Sequence, residues 1–264
     1  MTKKTGRNPE TPRNDPNSER RWVFTDPYHN AYQFDMDDDL QMKLSMDGAM
    51  VTELVYAANR QKDDIILAAF DATVNSGRRN NTSTITWAGQ SGNTKYTRTS
   101  GGRTIPHDCS IGNCSATNTG MTIEKVELVK EYLIKHEVPG NIPIYGLIAP
   151  EQGTDLWGQE EYVNIDYSNN KPLATLEYLK TWGGINWIVS NKVVAGSSND
   201  VDLDTAVYKC WFWAQDAIIL AIQDDVSVRY SDRADLSHAQ QVYVHMNLGA
   251  MRHDEDKICV VECQ

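Results

Sequence analysis

The sequence predicts an α+β fold, and three features of its patterning carry that prediction. Two stretches, at about 47–73 and 121–140, place apolar side chains at helical spacing. From about Val226 onward, apolar and polar residues alternate with the period of a strand. Between the helical stretches, Asn75 to Gly120 is rich in Gly, Ser, Thr and Asn and reads as loop and edge strand rather than core. Composition agrees: 40% hydrophobic residues with seven Trp and twelve Tyr is too apolar for a disordered chain.

Taken in order, the first 21 residues combine three prolines with Asn, Ser, Gly and charge, and predict an extended arm. RRWVFTDPYHNAYQFDMDD alternates on both sides of Pro27, as strands of a hairpin or a long loop do. Val51, Leu54, Val55, Ala58, Ile65 and Ala69 then recur at spacings of three, four and seven, which predicts one long helix. STITWAGQSGNTKYTRT suggests a hairpin around QSGN. The helix in MTIEKVELVKEYLIKHEVPG has Thr122 as N-cap candidate, Glu124 in its first turn, Lys135 and His136 in its last, and a Pro139-Gly140 stop. IPIYGLIAP reads as a buried strand, Glu151 to Trp157 as a short amphipathic helix, and LEYLKTWGGINWIVSN as strands. The apolar run YKCWFWAQDAIILAIQ predicts a helix, and VSVRY, QVYVHMNLGAMR and KICVVEC predict closing strands.

Charge is segregated along the chain. Residues 1–21 carry six Lys/Arg against three Asp/Glu, a net +3 that leaves −14 of the total −11 for the remainder. Asp35 to Asp71 holds nine acids against three bases, whereas Asn75 to Gly120 holds five bases and one acid. Such a chain suits pairing with copies of itself, a basic extension of one lying on an acidic surface of another. The overall negative charge argues against a general phosphate-binding surface. No apolar run reaches membrane-spanning length and the start lacks a signal-peptide core, so the chain is expected to remain where it is made. Five cysteines without a CxxC pair predict free thiols in a reducing compartment, with Cys259 and Cys263 as small buried groups on one face of the last strand.

Catalytic motifs are weak. There is no GxxxxGK[ST] or GxGxxG phosphate loop, and GQSGN is not a GxSxG nucleophile elbow. FDMDDDL gathers carboxylates that suit a divalent cation, but a calcium loop starting at Asp35 needs Gly and Glu where Leu40 and Met46 stand. An acidic turn or a partner for Arg is the better reading of Asp35 to Asp39. His107, Cys109 and Cys114 lack a second zinc-ligand pair. No cofactor or metal is expected.

The order of these segments resembles the tailed-phage major capsid proteins of the Hong Kong 97 type. GRNPETP, RRWVF and FDMDD resemble the arm and extended-loop strand of one branch, and AANRQKDDIILAAF its spine helix, through Ala58, Arg60, Asp64 and Ile65. MTIEKVELVKEYL, IPIYGLIAP, EQGTDLW and LEYLKTWGGINWIVSN follow in family order, then AQDAIILAI, VSVRY and VYVHMNLGAMRHDEDKICVVE with Gly249, Ala250 and Arg252. Members of that branch usually carry tens of residues before the GR…TP segment, so this chain starts at their mid-loop.

The resemblance implies a division into arm and extended loop (1–46), peripheral domain with spine helix and polar hairpin (47–120), axial domain (121–225), and C-terminal strands of the peripheral domain (226–264). It implies pentamers and hexamers of an icosahedral phage head, a virion assembled in the host cytoplasm, with portal, scaffolding or decoration proteins as partners. Double-stranded DNA is enclosed without sequence-specific binding, and no membrane is involved. Arg20, Arg21, Asp35, Asp37, Asp38, Arg60, Asp64 and Arg252 are the expected subunit-interface residues. An encapsulin-like cargo shell is the alternative of the same fold, and a metal-dependent hydrolase using Asp35 to Asp39 the alternative of another class.

Overall fold

A 26-residue helix, α1 (Met46–Asp71), runs past two separate sheets and packs on both. The computed structural model describes residues 6–7, 20–34, 46–78, 81–87, 102–107, 119–159, 181–193, 207–236 and 238–263. At a rise of ~1.5 Å per residue, α1 is about 39 Å long. Its helical spacing explains the double duty. Met50, Val51, Leu54, Ala58 and Ile65 face a three-stranded antiparallel sheet, while Ile66, Leu67 and Phe70 near the C-terminal end face a six-stranded sheet.

The three-stranded sheet has the order β10 (Ile218–Arg233), β11 (Ala239–Arg252), β2 (Asp26–Phe34). Val242, Val244, Met246 and Leu248 of β11 point at α1 and are buried, as the alternation predicts. The opposite face carries Tyr243 and His245, which stack at 6.4 Å, and His29, which stands opposite His245 and 6.1 Å from Tyr243.

The six-stranded sheet has the order β5 (Thr104–Ile105), β12 (Ile258–Cys263), β9 (Tyr208–Ala214), β6 (Ile144–Ile148), β8 (Ile185–Val189), β7 (Thr181–Trp182). The helices α2 (Ile123–Lys135) and α3 (Pro150–Trp157) contribute Val126, Val129, Tyr132, Leu133 and Leu156 to the core on one face. The end of α1, Trp87 and Ala217 pack on the other face. Cys259, Val261 and Cys263 lie on the first face and Ile258 and Val260 on the second, and Cys210, Cys259 and Cys263 are free and buried. A small third sheet has the order β1 (Arg21–Trp22), β3 (Val74–Arg78), β4 (Asn81–Ile85).

The helices at Met46–Asp71, Ile123–Lys135 and Pro150–Trp157 occupy the predicted places, with Thr122 accepting from Lys125 N as the N-cap of α2. The helix predicted in YKCWFWAQDAIILAIQ does not form; Tyr208–Ala214 is β9 and Ile218 begins β10. β9 is central and covered on both faces, so its sequence is a continuous apolar run without alternation, which periodicity alone does not separate from a buried helix. The stretch 21–34 is not a hairpin: β1 pairs with β3 and β2 with β11. Part of 75–120 belongs to the core, with Trp87 3% and Ile105 0% exposed. Sheet membership also cuts across the division at residue 226, because β12 joins β9 and β6 rather than β11. The hairpin around QSGN lies outside the described residues.

Candidate assembly surfaces and an internal arginine junction

The expected interface residues divide into an internal group and a surface group. Arg21, at the start of β1, donates from Nη1 and Nη2 to the two carboxylate oxygens of Glu255 at 2.7 and 2.6 Å, and from Nη1 to the Arg252 carbonyl at 3.1 Å. Arg252, at the end of β11, donates from Nη1 to the Ala69 and Phe70 carbonyls at 3.1 and 2.8 Å. Those carbonyls belong to the last turn of α1, whose unpaired acceptors and dipole favour a cation. The Arg252 Nε lies 3.5 Å from Glu255, and its guanidinium 5.4 Å from the centroid of Trp87.

At this junction two of the expected interface residues have partners within their own chain. Arg252 is fully enclosed, and Arg21 keeps only 13% side-chain exposure. Both are held by partners of their own chain, 234 residues away in the case of Arg21 and Glu255. Burial opposes charge on Glu255, but the hydrogen bonds and charge of Arg21, together with Arg252, outweigh it and hold the carboxyl below its usual range. Burial lowers the pKa of Arg252 against the pull of Glu255, yet an arginine remains charged.

The surface group is different. Arg20, Arg60 and Asp64 are exposed. Arg60 and Asp64 lie one turn apart on α1, where Lys192 donates to the Arg60 carbonyl and to Asp64, the latter at 2.7 Å. Lys62 of α1 pairs with Asp225 of β10 at 2.7 Å. Asp35, Asp37, Asp38 and Asp39 lie outside the described residues, as do Cys109 and Cys114.

Sequence reasoning missed one structural anchor, Lys125, and gave no structural role to another, Gly249. Lys125 is fully buried on α2, and its Nζ donates to the Thr119, Gly120 and Glu262 carbonyls at 2.7, 2.9 and 3.1 Å. Each ammonium proton thus has an acceptor, and α2 is tied to β12. Gly249 sits under the β1–β2 connection: a Cβ there would stand 2.1 Å from the Phe24 carbonyl oxygen. The motif GAMR therefore marks a close backbone crossing at Gly249 and a helix-end anchor at Arg252.

Solved structures share the fold of this chain. The cyanophage Pam1 capsid matches with a TM-score of 0.60 at 11% identity, over 91% of this chain and 75% of that one. The capsid of Ralstonia phage GP4 matches with 0.60 at 12%, over 91% and 73%, and that of cyanophage P-SCSP1u with 0.59 at 14%, over 92% and 73%. No curated protein matches the chain at the level of sequence. The helix running past two sheets is thus part of a fold shared with these phage capsid structures. The chain belongs to the phage capsid protein family, whose model matches residues 1–264. It is a structural component of the virion, not an enzyme.

Proposed function

We propose that this chain is the repeating subunit of an icosahedral phage head, forming pentamers and hexamers around double-stranded DNA. The whole-chain family match carries this reading. The distribution of charge supports it: net −11, with basic segments at 1–21 and 75–120 and an acidic one at 35–71, suits contacts between copies and an acidic wall that does not grip DNA. The exposed Arg20, Arg60 and Asp64, together with Asp35, Asp37 and Asp38, remain the interface residues of this reading, and Arg21 and Arg252 act within the subunit. A portal at one vertex, scaffolding or decoration proteins, and assembly in the host cytoplasm complete it. Sedimentation of the purified protein tests it: ring-sized and shell-sized species that dissociate as salt rises support the reading. A monomer at high concentration and moderate salt would refute it.

A further inference from the structure

The face of the three-stranded sheet turned away from α1 carries two imidazoles at opposed strand positions. His29 of β2 stands directly opposite His245 of β11 in the register, and opposed residues of an antiparallel pair project from the same face. That face is the outer one, because Val244 and Met246, the neighbours of His245, are buried against α1. The Cβ atoms of such a pair lie about 4.5–5.5 Å apart, so both imidazoles can reach one ion placed about 2 Å from a nitrogen of each. His29 is exposed and the His245 side chain keeps 30% exposure, which leaves both open to solvent.

Two contacts prepare these rings. The His245 Nδ1 lies 3.2 Å from Asp224 Oδ2 on β10. An ionised carboxylate only accepts, so Nδ1 carries the proton and Nε2 keeps its lone pair for a ligand. A carboxylate behind a histidine in this way fixes the tautomer and the ring orientation of metal-binding imidazoles. Tyr243 stacks on both rings, 6.1 Å from His29 and 6.4 Å from His245, at interplanar angles of 29° and 18°.

We propose that His29 and His245 chelate a divalent transition metal of the imidazole-seeking class (Ni²⁺, Cu²⁺, Zn²⁺), with Asp224 as positioning residue and water completing the coordination shell. Among the described residues no group of three His, Cys, Asp or Glu side chains is placed to hold a metal ion, so the chain supplies two donors and the ion stays exchangeable. Two neutral nitrogen donors select this class over Mg²⁺ and Ca²⁺, which take oxygen ligands. The bound ion pins β2 to β11, and with it the strand ahead of α1 to the β10–β11 hairpin. All three residues belong to one chain, so binding does not depend on the shell.

The test is calorimetric titration of the unassembled full chain with Ni²⁺ alone, with Mg²⁺ as control. One saturable Ni²⁺ site is expected, weakened by an order of magnitude or more in His29→Ala and in His245→Ala, and no such site for Mg²⁺. Asp224→Ala should weaken it about tenfold, the loss typical of removing the partner behind a metal-binding histidine, and Asp224→Asn, whose amide oxygen still accepts from Nδ1, should restore most of it. Circular dichroism checks that each variant folds; if one does not, Ni²⁺-induced broadening of the His29 and His245 ring signals in NMR spectra of the wild type decides the matter. Equal Ni²⁺ affinity in the wild type and the His29→Ala/His245→Ala double variant, meaning an adventitious ion only, overturns the site, as does a wild type with no saturable site. Weakening by His245→Ala but not by His29→Ala overturns the chelating pair. An Asp224→Ala variant that binds like the wild type overturns the positioning role.

Discussion

Replacing Arg21 should weaken the isolated subunit, not only its contacts with neighbours. The Arg21–Glu255 pair is bidentate, and its side chains are 13% and 9% exposed, so removing the arginine leaves a carboxylate with little access to water. Breaking a buried pair on one side costs about 3–5 kcal/mol. Arg252 still stands 3.5 Å from Glu255, which places Arg21→Met lower, at about 2–3 kcal/mol. At about 2–4 °C per kcal/mol for a chain of this size, Tm should fall by roughly 5–10 °C. Arg20 is exposed, so Arg20→Met should shift stability by no more than about 0.5 kcal/mol. The assay is thermal unfolding of unassembled subunits, with Glu255→Gln and the double variant completing a cycle. A loss below about 0.5 kcal/mol for Arg21→Met, or a cycle without coupling, would refute the junction as described.

Acid should open the same junction. Glu255 has a folded-state pKa below its ordinary value, so its contribution is complete above about pH 4.5 and is lost as pH falls through the lower folded value; the stability difference between wild type and Glu255→Gln should shrink across that window. Gly249→Ala should cost about 1–3 kcal/mol, because its Cβ would overlap the Phe24 carbonyl and push the β1–β2 connection outward, read as lower Tm and faster amide exchange near Thr25. Lys125→Met should cost about 3 kcal/mol or more by stranding three carbonyls in an enclosed site, and a change under 1 kcal/mol in denaturant unfolding would show those carbonyls to be hydrated.

Local signals proved legible where one physical cause acts alone. The long helix appears where Val51, Leu54, Ala58 and Ile65 repeat on one face, and Thr122 caps α2 where its position predicts. β11 was readable because one face packs on α1 while the other is not covered by it, so apolar and polar residues alternate. β9 was not, because covering both faces erases the alternation that distinguishes a strand. The charges failed for another reason. Arg21 and Glu255, or Lys125 and Glu262, meet only through the tertiary fold, and nothing local marks a cation that will be enclosed. Arg20 and Arg21 are neighbours of the same type, yet one is exposed and the other nearly buried. Only the GAMR motif singled out Gly249 and Arg252, without revealing that the arginine turns inward.

The central claim, that this chain builds a closed phage shell, is tested most directly by electron microscopy of the purified protein under assembly conditions. The account predicts icosahedral particles whose surface resolves into rings of five and six subunits. Particles absent across concentration and salt, with the chain folded and monomeric, would contradict it.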